Sequence, residues 1–123
     1  MKHFMRLKIK PFSSIWNGEK TIELRLLDEK RRKIKAGDII EFGLLDSEKT
    51  ITVSVAKLHI FDSFEELYKK LPLTKCGYSE AELPTAGYSD MDIYYSKEEQ
   101  SAYGVVGIEF IVIDKKENCN HAS

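Results

Sequence analysis

Cysteine is scarce in this sequence. Its two thiols, Cys76 in a mid-chain loop and Cys119 in the polar end segment, have none of the paired spacings that mark a zinc site or a redox motif. Two unpatterned thiols fit a reducing cytoplasm better than a disulfide-stapled secreted scaffold. Long apolar runs are missing too: no stretch approaches the ~20 residues that span a bilayer. Met1 to Arg6 carries charge without the apolar segment of a signal peptide. The expectation is a cytoplasmic chain with no membrane partner. An excess of one charge is also absent. Nineteen basic and twenty acidic residues leave a net charge of -1, so the whole molecule has no strong bias toward nucleic acid, although a local patch remains open.

The familiar catalytic signatures are absent as well. There is no G-x-S-x-G elbow, no H-E-x-x-H, no phosphate-binding glycine loop and no dinucleotide fingerprint. His3, His59 and His121 are scattered, so no metal ligand set and no cofactor are expected, and His59 reads as a half-buried imidazole with a partner. No repeat, low-complexity tract or linker divides the chain, whose length suits one core. The expected organisation is a single domain over 1–113 and a polar, aperiodic, flexible tail over 114–123.

What is present is a sequence of strands and short helices. Phe4 to Ile9 alternates, with Met5, Leu7 and Ile9 inward. Pro11 suits the first turn of a helix whose Phe12, Ile15 and Trp16 form one stripe, and Asn17-Gly18 stops it. A strand from Lys20 to Leu27 follows. The charge run Asp28 to Lys35 reads as a solvated loop or as a phosphate-facing edge. Ile39 to Phe42 and Thr50 to Ile60 read as strands, the second slipping near Lys57 as at a bulge. Ser63 and Ser96 open helices through capping boxes, Ser89 to Tyr95 reads as helical, and Val105 to Ile113 is the last strand. Strand-to-strand turns without regular strand–helix alternation predict an α+β fold: a small, mostly antiparallel β-barrel with short helices packed at its ends.

One octet stands apart, Gly18-Glu19-Lys20-Thr21-Ile22-Glu23-Leu24-Arg25. Alternation puts Ile22, Leu24 and Leu26 on one face and Thr21, Glu23 and Arg25 on the other, with the Lys20 amine at the mouth. This density of complementary groups makes either a polar pocket or a ladder of ion pairs. As a pocket, Lys20 and Arg25 attract phosphate or a base edge while Glu23 accepts from an exocyclic amine. Trp16, Tyr78, Tyr88, Tyr94, Tyr95 and Tyr103 supply rings on which bases stack; Trp16 and Tyr95 join Lys20, Glu23 and Arg25 as the expected ligand-binding set.

Gly18-x-Lys20-x-x-Glu23-x-Arg25, the Lys35-Ala36-Gly37-Asp38 turn and the closing Tyr103-Gly104-Val105-Val106-Gly107-Ile108-Glu109-Phe110 resemble the ASCH domain family, small domains with a PUA-like barrel. The resemblance covers the chain up to about Asp114. It implies a cleft beside the strand after the first helix, proposed to bind RNA or nucleotides, and thus an RNA, nucleotide or nucleoside partner. It also implies an alternative, since some members are hydrolases. One group of small bacterial members removes the acetyl group of N4-acetylcytidine with a lysine, a threonine and a glutamate. The lysine falls on Lys20. The threonine position holds Glu23, with Thr21 one alternation away, and the glutamate falls nearest Glu80 or Glu82. On that reading Lys20, Thr21 and Glu82 are the catalytic candidates, Lys20 activating a nucleophile and the glutamate moving the proton.

Overall fold

The structure is a computed structural model that describes residues 1–117; the rest of the tail, with Cys119 and His121, lies outside the described residues. Five strands form one sheet: β1 (Lys2–Leu7), β2 (Ile22–Leu26), β3 (Ile39–Leu44), β4 (Thr50–Phe61) and β5 (Val105–Lys116). Their order is β1-β3-β4-β5-β2. β1 runs parallel to β3, and the other three pairings are antiparallel.

The α+β class is as expected, but the sheet is mixed and it does not close into a barrel. β1 and β2 are its two edges, with no backbone ladder between them. Strand alternation specifies which face of each strand is buried, not which edges meet. β2 is only five residues long. A side chain spans the seam instead: the Arg25 guanidinium on β2 donates from Nη2 to the Arg6 carbonyl on β1 at 3.2 Å.

Helix α1 (Ile9–Trp16) starts two residues earlier than the alternation implied. Ile9, expected inward on β1, is its first residue and is exposed. Pro11 still falls in the first turn, where its missing N–H is not needed, and the first intrahelical bond runs from Phe12 to the Lys8 carbonyl. Phe12 and Ile15 go under the sheet with Met5, Leu7, Ile40, Phe42 and Ile51. A second cluster lies beyond β2, where Ile22, Leu24 and Leu26 pack on Phe64 and Leu67 of α3 (Phe64–Lys70) and on Leu71, which follows it.

Part of the charge run is neither loop nor free edge. It forms α2 (Glu29–Arg32), capped by Asp28, which accepts from the Arg31 backbone and side chain. Arg32 donates to the Tyr103 carbonyl. Ser63 caps α3 as expected, and Ser96 with Glu99 makes a full capping box on α4 (Lys97–Tyr103). Between them lie three 3-10 turns, Leu73–Cys76, Leu83–Thr85 and Tyr88–Ile93; the last occupies the segment expected to be helical. The β4–β5 ladder shifts register between Val55 and Lys57, at the expected slip, and again between Thr52 and Val53. The last strand does not end at Ile113: Asp114, Lys115 and Lys116 pair with Thr52, Ile51 and Thr50. Three residues assigned to the polar tail are ordered by this backbone ladder, which asks nothing of side-chain hydropathy.

Candidate nucleotide-binding cleft

The seam between β1 and β2 is the candidate site. Its geometry begins at the end of α1, where Gly18 takes a φ of 80°, left-handed backbone that glycine adopts without strain. The Ser14 carbonyl then accepts from both Glu19 and Lys20 N–H groups, and the Thr21 N–H donates to the Lys75 carbonyl. Lys20 is thereby pinned from both sides, and its side chain runs across Gly77. That glycine has a φ of 109°, and a Cβ built on it would sit 3.2 Å from Lys20 Cδ.

Glu23 receives both cations. Lys20 Nζ lies 2.8 Å from Oε1 and Arg25 Nε lies 2.7 Å from Oε2. All three side chains are buried or nearly so, Glu23 at 4% exposure. Burial works to raise the Glu23 pKa, but Lys20 and Arg25 together outweigh it and hold the carboxyl below its usual range. Lys20, Glu23 and Arg25 therefore form a buried trio carrying one net positive charge. Both carboxylate oxygens are engaged, yet Lys20 and Arg25 keep N–H groups beyond those that bind Glu23 and Arg6.

These residues line a cleft of about 480 Å³, within the ~300–1,000 Å³ of ordinary ligand sites. Arg6, Lys8, Lys10, Lys20 and Arg25 on its wall outnumber the carboxylates of Glu23, Glu82 and Asp90. A near-neutral molecule thus has a basic cleft. Tyr68, Tyr78, Tyr94 and Tyr95 line it as well. Tyr95 stacks on Phe64, and the Lys8 ammonium lies 5.9 Å from the Tyr94 ring centre. Tyr68 and Tyr78 share a 2.7 Å hydrogen bond, and Tyr78 donates to Asp90 at 2.7 Å. Burial pushes Tyr68 up to about 12 and raises Tyr78 and Tyr95 as well, so all three are neutral phenols at physiological pH.

Of the residues singled out in the sequence, Lys20, Glu23, Arg25, Tyr95 and Glu82 come together here, as do Tyr78 and Tyr94. Trp16 does not. It lies on the other flank of α1, against Phe12 and a separate depression. Thr21, Glu80, Tyr88 and Tyr103 are not on the cleft wall. Glu82 pairs with Lys10 at 2.8 Å and accepts from the Ser79 N–H; hydrogen bonding from Lys10 is the main reason its carboxyl is held at about 2. The sequence reading missed Tyr68 of α3, and Cys76, which it placed only in a loop. Burial pushes the Cys76 thiol up to about 11, so it sits in the cleft wall as a neutral, unreactive group. Arg6, Lys8 and Lys10 lie close together in the sequence, but their convergence on Lys20 depends on the seam. His59 pairs with Glu109 at 2.8 Å and His3 with Asp38 at 2.8 Å, both away from the cleft.

The family model of the ASCH domain matches residues 5–114. The chain belongs to the ASCH domain family. Among solved structures, this ASCH chain is similar to the hypothetical protein PH0355, at 35% identity and a TM-score of 0.76 over 92% of this chain and 100% of that one. It is also similar to protein PF0455 from Pyrococcus furiosus, at 32% identity and a TM-score of 0.71 over 93% and 99% of the two chains. A mutant of ZmASCH from Zymomonas mobilis shares the fold, at 14% identity and a TM-score of 0.58 over 94% of this chain and 68% of that one. No curated protein matches the ASCH chain significantly. Among the described residues no helix is long and apolar enough to cross a membrane.

Proposed function

We propose that this ASCH domain binds RNA, or a nucleotide or nucleoside, in the cleft between β1 and β2. The observation that carries the reading is the buried Lys20–Glu23–Arg25 group on the cleft wall. Glu23 holds the two cations in place, so the donors they have left are presented to an anion at little further cost in side-chain entropy. The phosphate is the natural anion, because the same wall offers tyrosine rings for a base. The cationic rim at Arg6, Lys8 and Lys10 extends the attraction along a backbone. The family is generally proposed to bind RNA, which agrees with this chemistry. A cytoplasmic setting fits the buried free thiol of Cys76.

Titration with short single-stranded RNAs and with nucleoside monophosphates tests the reading. Hydrogen bonds to charged groups contribute about 1.5–3 kcal/mol, so Lys20→Ala and Arg25→Ala each weaken binding by roughly ten- to a hundredfold. Affinities equal to that of the unaltered chain would place the site elsewhere.

The cleft also supports a second reading, as an amidohydrolase of acylated cytidine, because Lys20 and Glu82 share its wall. Two features favour binding over that chemistry. Thr21, the hydroxyl candidate, is not on the wall, and Glu82, held at about 2 by Lys10, is a weak base at neutral pH. Incubation with N4-acetylcytidine separates the readings: cytidine release that vanishes in Lys20→Ala supports the enzyme, and no release at high protein concentration supports the binder.

A further inference from the structure

Trp16 stands apart from the cleft and is the single tryptophan of the chain. Its ring tilts against Phe12, with centres 5.9 Å apart. The ammonium groups of Lys49 and Lys115 lie over it at 6.0 and 5.5 Å. Those lysines come from the turn before β4 and from the end of the β5 ladder, so three distant segments converge on one indole. The depression beside it has a volume of about 120 Å³, with Glu117 as its acidic wall residue. That is well below an enclosed ligand site, and it suits an open stacking platform. Lysine–indole distances near the ~6 Å limit of a cation–π contact are weak, which leaves both ammonium groups able to turn to a phosphate.

Helix α1 separates this platform from the cleft. Lys10, Pro11 and Ser14 line the cleft, whereas Phe12, Ser13 and Trp16 line the depression. We propose that Trp16, Lys49 and Lys115 form a second contact for single-stranded RNA, engaged by a strand that crosses α1 from the cleft: a base stacks on the indole and the lysines take flanking phosphates. The proposal rests on the RNA-binding reading of the cleft. It makes the chain a reader of strands rather than of single nucleotides, since only an oligonucleotide reaches both sides of the helix.

The single tryptophan gives the test its own signal. RNAs of two and of ten nucleotides are titrated while Trp16 fluorescence is followed, and affinities are measured in parallel by anisotropy of labelled RNA. The ten-mer is expected to bind at least tenfold more tightly than the dimer and to quench Trp16, which the dimer does not. The Lys49→Ala/Lys115→Ala double variant is expected to reduce the ten-mer to roughly the dimer's affinity, leave dimer binding unchanged, and lower the salt slope by about 1.4 for two lost phosphate contacts. Dimer and ten-mer binding equally, with Trp16 unresponsive, would overturn this contact while leaving the cleft reading intact. A ten-mer affinity unchanged in the double variant would also overturn it. Failure of both RNAs to bind the unaltered chain would overturn this contact and RNA as the ligand of the cleft.

Discussion

Glu23 is the residue on which the site depends. It is 4% exposed and holds Lys20 and Arg25, themselves largely buried. Removing it leaves two like charges facing each other without their counter-ion. Loss of one member of a buried ionic group costs about 3–5 kcal/mol, so Glu23→Ala should show that loss in urea unfolding, well above an exposed pair's ~0–1 kcal/mol. The group also titrates with the fold. Its folded pKa lies below the ordinary 4.5, so the unfolded chain takes up this proton first as pH falls. The stability it supplies is complete above about 4.5 and drains as pH drops through the folded value. A pH series of unfolding curves should show a smaller acid-side decline in Glu23→Gln than in the unaltered chain. Gly77 is the second sensitive position. Its φ of 109° strains any residue with a Cβ, and the Lys20 side chain, 3.2 Å from where that Cβ would stand, would have to shift. Gly77→Ala should cost about 1–2 kcal/mol for the left-handed backbone and weaken RNA binding besides, both readable in one set of unfolding and binding curves.

At the scale of elements, the turn from α1 into β2 was legible and the seam was not. Gly18 as a helix stop and the two faces of β2 follow from local rules that act within a few residues. Ile9, by contrast, fits the alternation of β1 as well as it fits the first turn of α1, and the choice rests on the bond from Phe12 to Lys8. The run from Asp28 to Lys35 reads as solvated because charge is what a sequence displays, while its helix depends on one cap, Asp28. The ladder carrying Asp114 to Lys116 depends on β4, more than fifty residues away in the chain. Packing between elements is testable at Gly107 on β5, opposite Leu24 of β2. A Cβ there would meet Leu71 Cδ1 at 2.7 Å and Ile22 Cγ2 at 3.2 Å. Gly107→Ala should overpack the junction of α3, β2 and β5 and destabilise by about 1–3 kcal/mol, which thermal unfolding would register.

For the whole molecule, the open sheet is what creates the cleft. Had β1 and β2 joined in a ladder, backbone would fill the space that now holds Lys20, Glu23, Arg25 and the tyrosines. The edges are instead linked by the Arg25 guanidinium and flanked by cationic side chains, which also discourage pairing with another chain. The charged run at Lys30 to Lys35 is the rival surface for a phosphate backbone, and residue order alone offers no means of ranking it against the octet. The measurement that decides between them is a backbone-amide NMR titration of the unaltered chain with a short single-stranded RNA. Shifts concentrated at Lys20 to Leu26, Gly77, Tyr78, Tyr94 and Tyr95 are what the cleft predicts; shifts confined to Glu29 through Lys35, with Lys20 to Leu26 unmoved, would contradict it.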